Sequence, residues 1–261
     1  MTTHAPSILD ISRDQDVVTL TLNRPTQFNA LSEALLKALL EALEPLQDDA
    51  QLRCLVIESR GRAFCAGHDL KEMRSKPELA YYRELFATCG ELMQAIRRLP
   101  VPVIAKVHGL ATAAGCQLVA ACDLAISADT AKFAVSGINV GLFCSTPAVP
   151  LSRNIQSKQA FEMLFTARFI DAHTAQDWGL LNDVVTAEKL DERVQLLVDD
   201  ILSKSNTAVR YGKSMFYKQL AMPLAEAYEY AAEVMAQNMM EDDVSEGIDA
   251  FIEKRPPIWK S

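Results

Sequence analysis

Early in the chain, apolar residues first alternate and then switch to helical spacing. In VVTLTL (17–22) Val18, Leu20 and Leu22 share one face and Asn23-Arg24-Pro25 ends the run, which predicts a strand and a turn. Ser32 precedes Leu35, Leu36, Leu39, Leu40 and Leu43 on one helical face, so it is a good N-cap for an amphipathic helix expected to end near Asp48-Asp49. CLVIES (54–59) predicts an apolar strand, the Gly/Ala/Cys-rich stretch 61–68 a turn, and residues 77–98 a helix. The unit then repeats. VPVIAKV (101–107) predicts a strand, and small residues 109–116 lead into a helix ending near Cys122. Each strand feeds a helix across a small-residue loop, which makes an α/β core. From Ala187 onward the pattern is almost purely helical, with breaks near Asn206, Pro223 and Asp242-Asp243. Apolar positions there (Leu196, Leu197, Ile201, Tyr211, Met215, Phe216, Met235, Met239) exceed what three thin helices bury among themselves. Packing on the core and self-association are both open outlets.

At 261 residues, about half hydrophobic, the chain can bury a large core as one domain or as a domain with an appendage. A net charge of −8 without a Lys/Arg-rich run argues against a nucleic-acid or anionic-membrane partner. No apolar run approaches the ~20 residues that span a bilayer. The polar start Met1-Thr-Thr-His-Ala-Pro lacks the charged and apolar regions of a signal peptide. A soluble, cytoplasmic protein is expected, with small molecules or copies of itself as partners. Cys54, Cys65, Cys89, Cys116, Cys122 and Cys144 are scattered among apolar neighbours, which suits reduced and mostly buried thiols. None of His4, His68, His108 and His173 lies four residues from another, so no metal site is expected.

Two loops carry the candidate chemistry. Gly61-Arg-Ala-Phe-Cys-Ala-Gly67-His68-Asp69 follows a strand, and Gly109-Leu-Ala-Thr-Ala-Ala-Gly115-Cys116 stands at a helix start. Small side chains let a ligand reach main-chain N–H groups, and a helix N-terminus adds unpaired donors where negative charge is best stabilised. Neither loop is a dinucleotide or phosphate motif, and tight packing is the plainer reading of each alone.

Together the loops are more specific. AFCAGHDLKEM (63–73) and VIAKVHGLATAAGCQLVAACDLAISADTAKF (103–133) resemble the two oxyanion-hole signatures of the crotonase (enoyl-CoA hydratase/isomerase) superfamily, in order and spacing. LNRPTQFNAL (22–31) and EGIDAFIEKRPPIW (246–259) resemble that family's beginning and end, so the resemblance covers essentially the whole chain. It implies an α/β spiral of ββα units over residues 1–203 and a C-terminal helical trimerisation region over 204–261, assembled as a homotrimer or dimer of trimers. The substrate would be an acyl-CoA thioester of fatty-acid metabolism, with no cofactor beyond its CoA. The backbone N–H groups of His68 and Ala114 would bind the thioester oxygen, with Ala114 standing where relatives usually carry Gly. Ala66, His68, Asp69, Leu70 and Lys71 would line the CoA path, Arg24 would meet the diphosphate, and Phe251 and Lys254 would reach the adenosine phosphate, from a neighbouring subunit or the same one.

The family's two catalytic glutamates fall on Gln117 and Gly137, twenty positions apart without a gap. Gln117 hydrogen-bonds but takes no proton, and Gly137 has no side chain. Each general acid–base group contributes typically ~10²–10⁴-fold, so hydration is expected to be weak and isomerisation to suffer too. His68, Ser136, Cys144 and Ser145 are candidate replacements; their plainer roles are capping, backbone hydrogen bonding and packing. His108 and Asp123 read as structural. Three functions follow: a weak hydratase or other lyase/isomerase, an acyl-CoA decarboxylase or hydrolase, or a silent acyl-CoA-binding protein.

Overall fold

The computed structural model describes residues 7–261; the polar start and His4 lie outside the described residues. The chain opens with β1 (Leu9–Asp14), β2 (Val17–Leu22) and α1 (Glu33–Leu43), then runs through β3 (Cys54–Ser59), β4 (Ala63–Cys65), α2 (Leu70–Ser75) and α3 (Leu79–Arg98). A second turn follows with β5 (Val103–Val107), β6 (Leu110–Thr112), α4 (Ala114–Ala121), β7 (Leu124–Ala128) and β8 (Lys132–Ala134). Helices α5 (Ser145–Asn154) and α6 (Ser157–Thr166), strand β9 (Ile170–Asp171), helix α7 (Ala172–Asp177) and strand β10 (Asp183–Val185) complete the core. Four helices end the chain: α8 (Leu190–Leu202), α9 (Asn206–Gln219), α10 (Leu224–Asn238) and α11 (Asp242–Glu253).

Two sheets result. The larger runs β1-β2-β3-β5-β7-β10, parallel except for the opening β1–β2 hairpin. The smaller runs β4-β6-β8-β9, with β9 antiparallel. Successive strands of each turn enter different sheets, giving the expected spiral of ββα units.

The sequence pattern is realised with three differences. The Ser32 hydroxyl caps α1 by accepting from the Leu35 N–H, but α1 stops at Leu43 rather than near Asp48-Asp49. Pro45 starts a separate 3₁₀ turn there because it has no N–H to continue the helix. The expected turn at 61–68 contains β4, and the small-residue stretch 109–116 contains β6. Three-residue strands are too short to show a period of two.

All six cysteines are buried and unpaired. Among the described residues no helix is long and apolar enough to cross a membrane. Helix α9 docks on the core through Lys213, whose ammonium donates to Asp123 at 2.6 Å and to the carbonyls of Ile96 and Val101, while the Tyr217 hydroxyl donates to the other Asp123 oxygen. Asp123 also accepts from the Val103 N–H, so it is a structural anchor. Phe216, Leu224, Tyr228, Met235, Met240 and Phe251 remain exposed.

Candidate active site

Asn29, fully buried and left-handed at φ 54°, organises the first loop. Its side-chain amide donates to the carbonyls of Arg60 and Ala63 and its oxygen accepts from the Arg24 N–H. Arg24 in turn donates to Asp69 at 3.0 Å and to the Ala30 carbonyl. Asp69 caps α2 by accepting from the Glu72 N–H. Burial raises the Asp69 pKa, but Arg24 and the N–H donors outweigh it and hold the carboxyl below its ordinary range. Arg24 and Asp69 thus serve the loop's framework, and neither lines the cavity described below.

The second loop is drawn against the first. Thr112 donates its hydroxyl to the Ala66 carbonyl at 3.1 Å. A Cβ on Gly67, at φ 91°, would lie 3.2 Å from the Ala114 nitrogen, and one on Gly115 would strike the Cys65 carbonyl oxygen at 2.0 Å. Only hydrogen at these two α-carbons permits so close an approach. Ala113 stands before α4 at φ 48° and ψ −120°, a strained conformation for a residue with a Cβ. Methyl strain therefore sits at Ala113, next to Ala114, where relatives usually carry Gly. The N–H groups of His68 and Ala114 find no acceptor among the described residues. Both residues line one cavity.

That cavity holds about 220 Å³. Its walls come from Ala66, His68, Leu70 and Met73, from Phe86 on α3, from Ala113 and Ala114, and from residues 136–147. Of α3 only Phe86 lines it, and Met73 joins it from α2. None of the described lining residues is a carboxylate. Gln117 is buried outside the lining, its side-chain oxygen 3.9 Å from the Cys89 thiol.

Gly137 is not a vacancy. Its N–H donates to the Cys144 sulfur at 3.2 Å, and a Cβ there would lie 2.8 Å from that sulfur and 2.6 Å from the Leu142 carbonyl oxygen. A glutamate at 137 therefore requires the 142–144 loop to move. Burial raises the Cys144 pKa, so the thiol stays protonated and packs. Ser136 lines the cavity; the exposed Ser145 hydroxyl donates to the Phe143 carbonyl. Leu70 and Lys71 are exposed on α2. Phe251 and Lys254 are exposed at the end of α11 and do not line this cavity within one chain. His108 shares a hydrogen bond with the Gly61 carbonyl at 2.6 Å, a structural contact.

His68 differs from its neighbours. Its two ring nitrogens are buried without a partner, and its ring meets Phe86 edge-on at 5.5 Å. Burial lowers its pKa, so the imidazole is neutral near pH 7.

The family model for enoyl-CoA hydratase/isomerase matches residues 12–261. The chain belongs to the enoyl-CoA hydratase/isomerase family. It is 44% identical over 256 residues to enoyl-CoA hydratase domain-containing protein 3, mitochondrial, of Xenopus laevis, covering 98% of this chain and 87% of that one. GLFCSTP (141–147), FYKQL (216–220) and Trp259 carry the same likeness in the sequence. A crystal structure of an enoyl-CoA hydratase from Mycobacterium smegmatis superposes with a TM-score of 0.97 at 54% identity, covering 98% of this chain and 100% of that one. The human enoyl-CoA hydratase domain-containing protein 3 superposes at 0.94 with 43% identity, covering 97% and 100%. Within this family the fold is a crotonase fold.

Proposed function

We propose that this family member binds an acyl-CoA thioester and polarises its carbonyl between the His68 and Ala114 N–H groups, without the acid–base pair that hydration needs. The observation that carries this reading is a single cavity lined by both free N–H positions and, among its described walls, by no carboxylate. A well-placed donor in such a site contributes ~3 kcal/mol or more to a developing oxyanion. Adding water further requires a base to activate it and an acid at the α-carbon. Gln117 and Gly137 supply neither.

Chemistry that needs only an electron sink suits this cavity better. In decarboxylation of a malonyl-type thioester the bond to the carboxylate breaks, its electron pair becomes the enolate, and carbon dioxide leaves. The enolate then takes a proton from water. Hydrolysis is less supported, because Cys144 is protonated and makes no hydrogen bond to His68, whose nitrogens are unpartnered. We propose, too, that the chain assembles as a trimer or dimer of trimers, which would cover the exposed apolar residues of α9, α10 and α11.

The test is a turnover panel. Crotonyl-CoA hydration, carbon dioxide release from malonyl-CoA and free CoA release are measured on the same preparation. The expected result is hydration slow by ~10² or more relative to a relative with both glutamates, with malonyl-CoA the better substrate. Fast hydration would refute the loss of acid–base catalysis, and tight binding without any turnover would assign a silent acyl-CoA-binding role.

A further inference from the structure

The end of α3 and one face of α9 enclose a second cavity, of about 510 Å³, that shares no lining residue with the first. Phe86 on the wall of the first and Arg97 on the wall of the second are eleven residues apart on α3 (97 minus 86), about 16 Å along its axis at ~1.5 Å per residue. Arg97, Arg98, Lys213 and Lys218 stand on the wall of the second cavity, and none of its described lining residues is a carboxylate. In a chain of net charge −8 this is a local reversal of sign.

The four cations are not equivalent. Lys213 is spent, because its ammonium donates to Asp123 and to the Ile96 and Val101 carbonyls, which also offsets the negative end of α3. Arg98 is paired with Glu91. Arg97 and Lys218 have neither an ion-pair partner nor a hydrogen-bond acceptor among the described residues. Each is held instead over an aromatic face, Arg97 at 4.1 Å from the Tyr217 ring centre and Lys218 at 4.5 Å from that of Tyr230. A ring attracts a cation without giving its N–H donors a lone pair, so both remain charged, positioned and unsatisfied. The Ser214 hydroxyl, on the same wall, also makes no hydrogen bond among the described residues.

We propose that this cavity binds the phosphate group of a small molecule. A phosphate dianion matches two uncompensated cations in one place and offers oxygens to the Arg97 edge, the Lys218 ammonium and the Ser214 hydroxyl, whereas a carboxylate brings one charge and two oxygens. Leu99 and Pro100 give the rest of such a molecule an apolar surface. The inference stands independently of the thioester reading.

Calorimetric titration of inorganic pyrophosphate, and separately of succinate, into the native protein, Arg97→Gln, Lys218→Gln and Lys158→Gln at low ionic strength tests this. Succinate controls for plain double charge, and Lys158 is an exposed lysine of α6 that lines neither cavity. The native protein should bind one pyrophosphate per chain, about tenfold tighter than succinate. Arg97→Gln and Lys218→Gln should each weaken it about tenfold, the scale of one charge-assisted hydrogen bond, and Lys158→Gln should leave it unchanged. On the native protein, pyrophosphate should move the backbone amide shifts of Arg97, Ser214 and Lys218 and not those of His68 and Ala114, which keeps the test decisive if a variant fails to fold. Absence of binding to the native protein, equal affinity for succinate, affinity that survives in Arg97→Gln and Lys218→Gln, an equal loss in Lys158→Gln, or shifts centred on His68 and Ala114 would each overturn the inference.

Discussion

The two walls of the cavity have different construction. The wall formed by Ala66–Leu70 and Ala113–Ala114 is held by the Asn29 amide, the Arg24–Asp69 pair and the Thr112–Ala66 bond, and it leaves two N–H groups without protein acceptors. The opposite wall, residues 136–147, is packed shut around the position where resemblance places a carboxylate, with Cys144 sulfur and the Leu142 carbonyl beside Gly137. Under the proposed thioester reading, the electrostatic half of the site would rest on backbone N–H groups alone, while the position of the proton-transfer half is filled in by packing.

Breaking the first wall should have the largest effect. Gly115→Ala drives a methyl into the Cys65 carbonyl and should cost about 3 kcal/mol of stability in urea unfolding, and acyl-CoA binding should fall with it. Asn29→Ala removes the amide donor to the Arg60 and Ala63 carbonyls, of which Ala63 keeps only the Ser59 hydroxyl, and the acceptor of the Arg24 N–H, and should cost about 2 kcal/mol by the same measurement. On the second wall, Gly137→Ala should cost about 1–2 kcal/mol, with partial relief from Cys144→Ala because the sulfur is one of two obstacles and the Leu142 carbonyl remains. Full tolerance of Gly137→Ala would mean that this wall yields easily.

The smallest effect is a pH dependence. His68 has a folded pKa below its unfolded value near 6.5, so between these values the unfolded chain binds a proton that the folded protein refuses. Its contribution is fully present above the unfolded value and lost as pH falls toward the folded one. Stability from this group should therefore drop on acidification below about pH 6.5, with a slope of at most ~1.4 kcal/mol per pH unit. His68→Phe should remove that component of the slope in denaturant titrations at pH 5, 6 and 7; an unchanged profile would show the ring to be solvated.

Much of this was legible in the sequence, for identifiable reasons. Strands β2, β3 and β5 and helices α1 and α3 follow from runs long enough to show their period, and the Ser32 hydroxyl and the Pro25 ring mark boundaries by local chemistry. The two loops were legible as small-residue stretches, and the function proposed for them came from resemblance. Strands β4 and β6 were not legible because three residues carry no periodicity. Asn29 was hidden because its partners lie 31 and 34 positions away, with nothing local to distinguish it from a turn residue. Resemblance placed a missing carboxylate at Gly137, but that the position is filled was not legible, since Cys144 and Leu142 return to it only in three dimensions.

The most direct test of the central claim is the carbonyl stretching frequency of crotonyl-CoA, ¹³C-labelled at the thioester carbon, bound to the native protein, with hydration followed in the same sample. A shift to lower frequency on binding, with hydration slow, is the result expected of an oxyanion hole without its acid–base pair. An unshifted carbonyl would contradict the proposed role of the His68 and Ala114 N–H groups, and rapid hydration would contradict the claim that the proton-transfer half of the site is gone.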